Sequence, residues 1–400
     1  MSFEKTLIDG RQLLDQGDYR GACEMFQKSC NLALIDGVDS YNHALSLSWL
    51  GHSELMLGSY EQALTDLESS YALTIKHKGA ESLEAAEVLT RLGKTFNHLE
   101  RFKDGACKLQ ESLAIYKAIK GPYNAEAAEV TNELGLTLIQ EQKLDDAEQH
   151  LSKALGLRIK ILGEKHKDVA GSFADTSVYY SLVGNQASAR AFSKRGLDLA
   201  NVLLNDDHPQ LGIACFNLAN QYLKDGMYEK ALPVAIRARK IFEKRLDAAH
   251  ELKIWSMESL ATIHMAKEEA LQAQDLLTNA LVLSQAKWGR EDPHVLPSLI
   301  GLGASYLHVR DYRNAELYLK MSLSIMQKAS ELDTALEYRL LDQLSMSYVW
   351  QGKLGDAALL MPASLRAKHT SDFTMLMDIL HKLAGFVGKQ LEQLENPLKR

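Results

Sequence analysis

Apolar residues return every three or four positions in two runs across Glu129–Ala170 (EVTNELGLTLIQEQKLDDAEQHLSKALGLRIKILGEKHKDVA), with a polar break at Gln142 and a polar stretch after Leu162. A period near 3.6 predicts two amphipathic α-helices joined by a tight turn. Leu134-Gly135 lies in the first helix, and Ala147, Leu151 and Ala154 follow one another at helical spacing in the second.

The unit recurs along the chain. Its turn position falls at Gly17, Gly58, Glu100, Gln142, Gly184, Gly226, Glu268, Arg310 and Gly352, with a first interval of 41 residues and 42 thereafter. Five residues past each turn stands a small residue: Ala22, Ala63, Gly105, Ala147, Ala189, Ala231, Ala273, Ala315 and Ala357. Two antiparallel helices joined so tightly must approach closely there, which a bulky side chain would prevent. Eight residues before the turn comes Leu50, Leu92, Leu134, Thr176, Leu218, Leu260, Leu302 or Leu344, and a small residue always follows it. Glycine inside a helix costs about 1 kcal/mol relative to alanine, so its recurrence at Gly51, Gly93, Gly135 and Gly303 calls for close helix packing.

The pattern predicts an all-α fold, a right-handed superhelical solenoid of nine antiparallel helix pairs. Residues 1–41 form an atypical N-terminal repeat without the Leu-Gly pair, 42–370 the regular array, and 371–400 a C-terminal capping helix and tail. Phe373, Leu376, Leu380, Leu383 and Val387 would give that helix an apolar stripe, which either covers the last repeat or pairs two copies as a homodimer. Pro122, Pro209 and Pro293 fall in linkers and Pro297 at a helix start, whereas Pro233 and Pro362 fall in second helices that they would bend.

The Leu-Gly pair, the Gly-x-Tyr turn and the alanine three residues later resemble the tetratricopeptide repeat, at a period of 42 where that family usually has 34. The longer form is similar to the repeats of kinesin light chains, through Ala154–Ala170 (ALGLRIKILGEKHKDVA) and through Asp207-His208-Pro209 with Asn217-Leu218-Ala219. The resemblance implies a scaffold or adaptor that binds a protein or peptide partner. A light chain's N-terminal heptad region has no counterpart before the first repeat, which argues against a motor subunit. The paired asparagines of that family are reduced to Asn132-Glu133 and Phe216-Asn217, so its ligand preferences do not carry over wholesale.

Composition narrows the chemistry. A net charge of −7 gives no basic footprint for nucleic acid, and the sequence holds no apolar run long enough to span a bilayer and no signal-type N-terminus, which predicts a cytoplasmic protein without membrane insertion. Cys23, Cys30, Cys107 and Cys215 have neither zinc nor disulfide spacing and read as buried small hydrophobes. His166, His208 and His250 recur at 42-residue intervals, but stacked repeats lie roughly 10 Å apart, too far to share one ion. They read as linker hydrogen-bonding groups. Gly301-Leu302-Gly303-Ala304 lies mid-helix without a phosphate-loop pattern, and carboxylate pairs such as Asp145-Asp146 sit at helix starts, where they favour the helix dipole. No cofactor, metal or catalytic motif is read, and the chain is expected not to be an enzyme.

The informative face is the inner one, lined by the first helices at i, i+3, i+7 spacing. The third repeat presents Arg91, Lys94 and His98 beside Asn97; the fourth presents Gln140 beside Asn132; the sixth presents Asn217, Asn220 and Lys224. Arginine and lysine can take a carboxylate, while asparagine can bond both the N–H and C=O of an extended peptide. Trp49, Phe216 and Trp255 would add apolar pockets, and Asp175, Glu258 and Asp342 make the face mixed in sign. Two functions fit: a scaffold gripping a peptide or protein partner, or a regulatory sensor subunit whose ligand switches an associated enzyme.

Overall fold

The computed structural model describes residues 2–328 and 334–360, and every regular element in them is helical. The helices run in pairs: α1 (Phe3–Asp15) with α2 (Tyr19–Ala33), α3 (Tyr41–Leu57) with α4 (Tyr60–Lys78), α5 (Leu83–His98) with α6 (Phe102–Lys120), and α7 (Ala125–Gln140) with α8 (Leu144–Leu162). There follow α9 (Lys167–Leu182) with α10 (Gln186–Leu203), α11 (Pro209–Lys224) with α12 (Tyr228–Arg245), and α13 (Glu251–Ala266) with α14 (Ala270–Trp288). The last are α15 (Leu296–His308) with α16 (Tyr312–Lys328) and α17 (Thr334–Trp350) with α18 (Leu354–Leu360). The predicted C-terminal helix and Pro362 lie outside the described residues. Pro233 does fall inside α12.

All nine turn residues placed by the repeat alignment adopt the left-handed conformation, with φ between 59° and 83°. Glycine occupies five of them. Glu100, Gln142, Glu268 and Arg310 adopt the same backbone at a steric cost that their Cβ atoms impose. The repeated small residues are packed as their spacing requires: Ala22, Ala63, Ala147, Ala189, Ala231, Ala273 and Ala315 are wholly buried. A Cβ added at Gly93 would stand 2.5 Å from Leu109 Cγ, and one at Gly303 2.8 Å from Leu319.

A second column sets the helix starts. Ser40, Ser82, Asn124, His166, His208, His250 and Asp292 stand 42 residues apart, and each side chain accepts a backbone N–H two or three residues on. Such caps satisfy donors that a helix start leaves unpaired. The linker histidines are members of this column, with Nδ1 as acceptor. Of the cysteines, Cys30 and Cys215 are buried and Cys23 half-buried, but Cys107 is exposed and its thiol donates to Glu111, so the reading of all four as buried holds for Cys30 and Cys215 alone.

The chain divides into two compact units, residues 1–256 and 257–400, with the boundary inside α13. In the first unit, packing extends beyond neighbouring repeats. Tyr19 and Leu57, from the turns of repeats 1 and 2, share a core with Leu211, Leu218 and Phe242 of repeat 6. Arg20 donates to Asp247 at 2.5 Å, Lys167 to Asp15 at 2.7 Å, and the Tyr60 hydroxyl to Glu251. These contacts join positions 152 to 227 residues apart, roughly four to five repeats. The turn edge of repeats 1–3 therefore closes on the linker edge of repeats 5–7, down to the first turn of α13.

Candidate functional site

In repeats 2–4 a buried leucine and its small neighbour hold the first helix against its own second helix, Gly51 packing on Leu67, Gly93 on Leu109 and Gly135 on Leu151, which fixes the rotation of the first helix and so the residues it turns toward the next one. On α5 and α7 those residues pair with one another. Lys94 donates to Glu129 at 2.5 Å and lies 3.3 Å from Glu133. Arg91 is buried, donates to Ser48 and to Glu87, and stacks its guanidinium 4.0 Å from the centre of the Trp49 ring. Asn132 is buried too and donates to Asp175 at 2.7 Å. Asn97 donates to Thr137 at 2.8 Å, while its carbonyl oxygen is buried beside Gly105 without a hydrogen bond.

Repeats 2–5 thus present an inner face knitted by contacts between adjacent first helices, and the electrostatics follow from burial. The Lys94 ammonium is the main reason the Glu129 carboxyl is held down at about 2, against the opposing effect of burial. Asp175 goes the other way: burial raises it to about 6, partly offset by the Asn132 hydrogen bond. Burial, with Arg91 and Lys94 nearby, lowers His52 to about 3 and keeps its imidazole neutral. Arg158, from second helix α8, reaches into the same layer and donates to Ser172 Oγ at 2.6 Å and to the Asp168 carbonyl. The sequence reading missed Arg158, Glu129 and His52. A lone arginine on the buried side of the LRIK segment was the available signal.

The remaining predicted residues are more open. Gln140 is exposed, and Asn217 is half-buried; among the described residues neither side chain has a hydrogen-bond partner. Asn220 is half-buried on the same helix, and Lys224, exposed at its end, donates to Ser181 at 2.5 Å. His98 is exposed, stacks on Tyr60 with centroids 4.7 Å apart, and places Nδ1 3.7 Å from the Glu251 carboxylate. It belongs to the contact between turn and linker edges. Of the three predicted apolar anchors, Trp49 stacks against Phe26 and lies beneath Arg11 as well as Arg91, Phe216 packs edge-on to Phe242, and Trp255 is 41% exposed. In the second unit, Ser298 donates to Glu258 at 2.5 Å and burial raises that carboxyl to about 7.

Among the described residues no helix is long and apolar enough to cross a membrane, and no cluster of three or more histidine, cysteine or acidic side chains could hold a metal ion.

Comparison with known proteins places this geometry. The tetratricopeptide repeat profile matches residues 42–118 and 126–202. No curated protein sequence matches the chain. Among solved structures, a Rap protein complexed with competence and sporulation factor aligns over 85% of this chain and 99% of its own, at 14% identity and a TM-score of 0.55. The signal transduction ATPase with numerous domains and a tetratricopeptide repeat sensor, from Pyrococcus horikoshii, aligns over 90% of this chain and 54% of its own, at 18% identity and 0.55. Kinesin-light-chain TPR-like repeats from Podosopora anserina cover 52% of this chain and 98% of theirs, at 17% identity and 0.41. The first two likenesses show the fold, a solenoid of antiparallel helix pairs, over most of the described helices, and residues 42–118 and 126–202 are tetratricopeptide repeats within it, here with a 42-residue period.

Proposed function

We propose that the chain works by binding, as a scaffold that holds an extended segment of a protein partner against the inner face of its first unit. The tetratricopeptide fold supports protein interaction in general, and the Rap relative of similar extent is a complex with a factor. The observation that carries the finer reading is a division along the inner stripe. Arg91, Lys94, Asn97 and Asn132 already have protein partners, so exchanging those bonds for a ligand gains little. Gln140 and Asn217 have amides without a hydrogen bond among the described residues, able to meet both the N–H and the C=O of a peptide backbone. Binding is therefore centred on α11 and the end of α7, with Lys224 supplying positive charge. Repeats 2–4 provide the rigid wall.

The test is selection from a displayed peptide library against the full chain, then calorimetry with the selected peptide. Replacing Gln140, Asn217 and Lys224 together by alanine should weaken binding by about tenfold or more with the melting temperature preserved. Unchanged affinity sinks this placement. If instead Arg91→Ala alone abolishes binding at unchanged stability, the gripping residues are those of the third repeat.

A second reading, a ligand-responsive sensor, draws on the ion pairs along the contact between turn and linker edges. Arg20–Asp247 and Lys167–Asp15 are solvent-exposed and weak, so a ligand that bridges or separates the two edges could shift them. Small-angle scattering with and without the selected peptide distinguishes the readings: a sensor changes its radius of gyration, a passive scaffold does not.

A further inference from the structure

Two cavities lie at one and the same position of the repeat, in the groove between a second helix and the turn of the next repeat. One, of about 640 Å³, is bounded by Arg313, Glu316, Leu317 and Lys320 of α16 and by Gln351 and Lys353 from the turn before α18. The other, about 420 Å³, is bounded by Arg190 and Lys194 of α10, Tyr222 at the end of α11, and Lys230 of α12. Residues 190, 194 and 227 of the second stand 126 positions, three repeats, before residues 316, 320 and 353 of the first.

Their charge has the same balance but a different origin. The larger cavity holds three cations against one carboxylate: Lys320 and Lys353 both donate to Glu316, at 2.6 and 2.7 Å, and Arg313 has no ion pair among the described residues. In the smaller, Arg190 is paired with Asp225 while Lys194 and Lys230 have no ion pair among the described residues. Each cavity is left with an excess of two positive charges, on a chain whose net charge is −7. The cations are not a copied feature of the repeat, because Arg313 corresponds to Ala187, Lys353 to Met227, and Glu316 to Arg190. Only Lys194/Lys320 and Tyr222/Tyr348 are shared, and the centre of the Tyr348 ring lies 5.4 and 5.5 Å from the Lys320 and Lys353 ammonium groups. Burial alone would raise Glu316, but its bonds to Lys320, Lys353 and Gln351 bring it down to about 2, so it stays ionised and fixes both lysines in place.

We propose that these grooves, on the second helices of repeats 5 and 8 and apart from the inner face, are binding pockets for the phosphoryl group of a phosphorylated protein segment. A phosphomonoester has a charge of about −1.5 to −2 and three acceptor oxygens, matching the excess of two cations, whereas a carboxylate brings one charge and two oxygens. Both cavities exceed a phosphate in volume. Leu317 in one, and Ala187, Ala191 and Met227 in the other, offer apolar surface for the side chain bearing it.

The test is calorimetric titration of the full chain with a phosphoserine-centred peptide, its unphosphorylated form, the same peptide with glutamate at that position, and inorganic phosphate. The phosphopeptide should bind at two sites and tighter than the other three probes by about tenfold or more. R313A/K320A and K194A/K230A should each remove one site, and the combined variant both, with circular dichroism unchanged. Equal binding of phosphorylated and unphosphorylated peptide, or binding that survives the combined variant, overturns the proposal. Inorganic phosphate binding as tightly as the phosphopeptide overturns the assignment to a protein segment.

Discussion

Asp247 accepts a hydrogen bond from Arg20 at 2.5 Å across 227 residues of chain, and beside it Tyr19 is buried in a core built from repeats 5 and 6. The two neighbours contribute very differently. Arg20 and Asp247 are 64% and 41% exposed, a setting in which an ion pair is worth about 0–1 kcal/mol. Tyr19 is a large ring with its surface removed from water. Arg20→Ala should shift the denaturation midpoint barely, whereas Tyr19→Ala should cost about 3–5 kcal/mol in urea unfolding. A reversed order would mean that charge, and not packing, holds the two edges together.

The four turn residues with positive φ and a side chain are sites of stored strain. Gln142, at φ 61°, occupies the backbone that glycine fills in five other turns. Gln142→Gly should raise stability by about 0.5–1 kcal/mol, relief of a left-handed Cβ outweighing the added freedom of the unfolded chain. The converse, Gly58→Ala, should lower it by a similar amount. Calorimetric melting of both variants checks the pair, and a loss of stability in Gln142→Gly contradicts the strain.

Asp175 makes stability depend on pH in the direction opposite to Glu129. Its folded value of about 6, set mainly by burial, lies above the ordinary 3.8, so the folded chain holds the proton more tightly. Its favourable contribution is complete below pH 3.8 and is lost as pH rises through 6. Asp175→Asn should therefore stabilise the protein at pH 7, by on the order of 1 kcal/mol, and have little effect at pH 4. Glu129, held near 2 chiefly by Lys94, contributes above pH 4.5 and loses that contribution as pH falls toward 2. Urea midpoints at pH 4 and 7 separate the two, and an equal gain from Asp175→Asn at both pH values would exclude titration as the cause.

His208 caps α11 by accepting the Gln210 N–H at Nδ1, which requires a neutral ring. Burial lowers its value below the ordinary 6.5, opposing protonation. The contribution is present above pH 6.5 and declines as pH falls through the folded value. His208→Asn keeps a cap acceptor and should remove that acid-side decline, whereas His208→Ala should cost about 1 kcal/mol at pH 7.5. Amide hydrogen exchange at the start of α11 reads the cap directly. Faster exchange in the asparagine variant than in the alanine variant would rule it out.

Much of this architecture was legible because a repeat converts spacing into position. The turn column alone marks Glu100, Gln142, Glu268 and Arg310 as equivalents of glycine, and all four adopt glycine's conformation. The cap column was visible only in part: His166, His208 and His250 stood out as a series, yet serine, asparagine and aspartate at the same step disguised their shared role. The inner stripe brought Arg91, Lys94 and Asn132 to one face, but their partners 35 to 43 residues away consume much of their bonding capacity. Nothing local signals the closure of turn edge on linker edge. It depends on a small rotation per repeat summed over four or five repeats, and an error of a few degrees at each step would move Tyr19 out of the core it shares with repeats 5 and 6.

That closure changes how the first unit should fold and unfold. A solenoid whose repeats touch only their neighbours behaves as a one-dimensional chain and frays from its ends. Here repeat 1 is fastened to repeats 5 and 6 through the Tyr19 core, so releasing it breaks contacts at both places together. Residues 1–256 then exchange their amide protons as one block, and the first helix pair is protected to the same degree as the middle of the array.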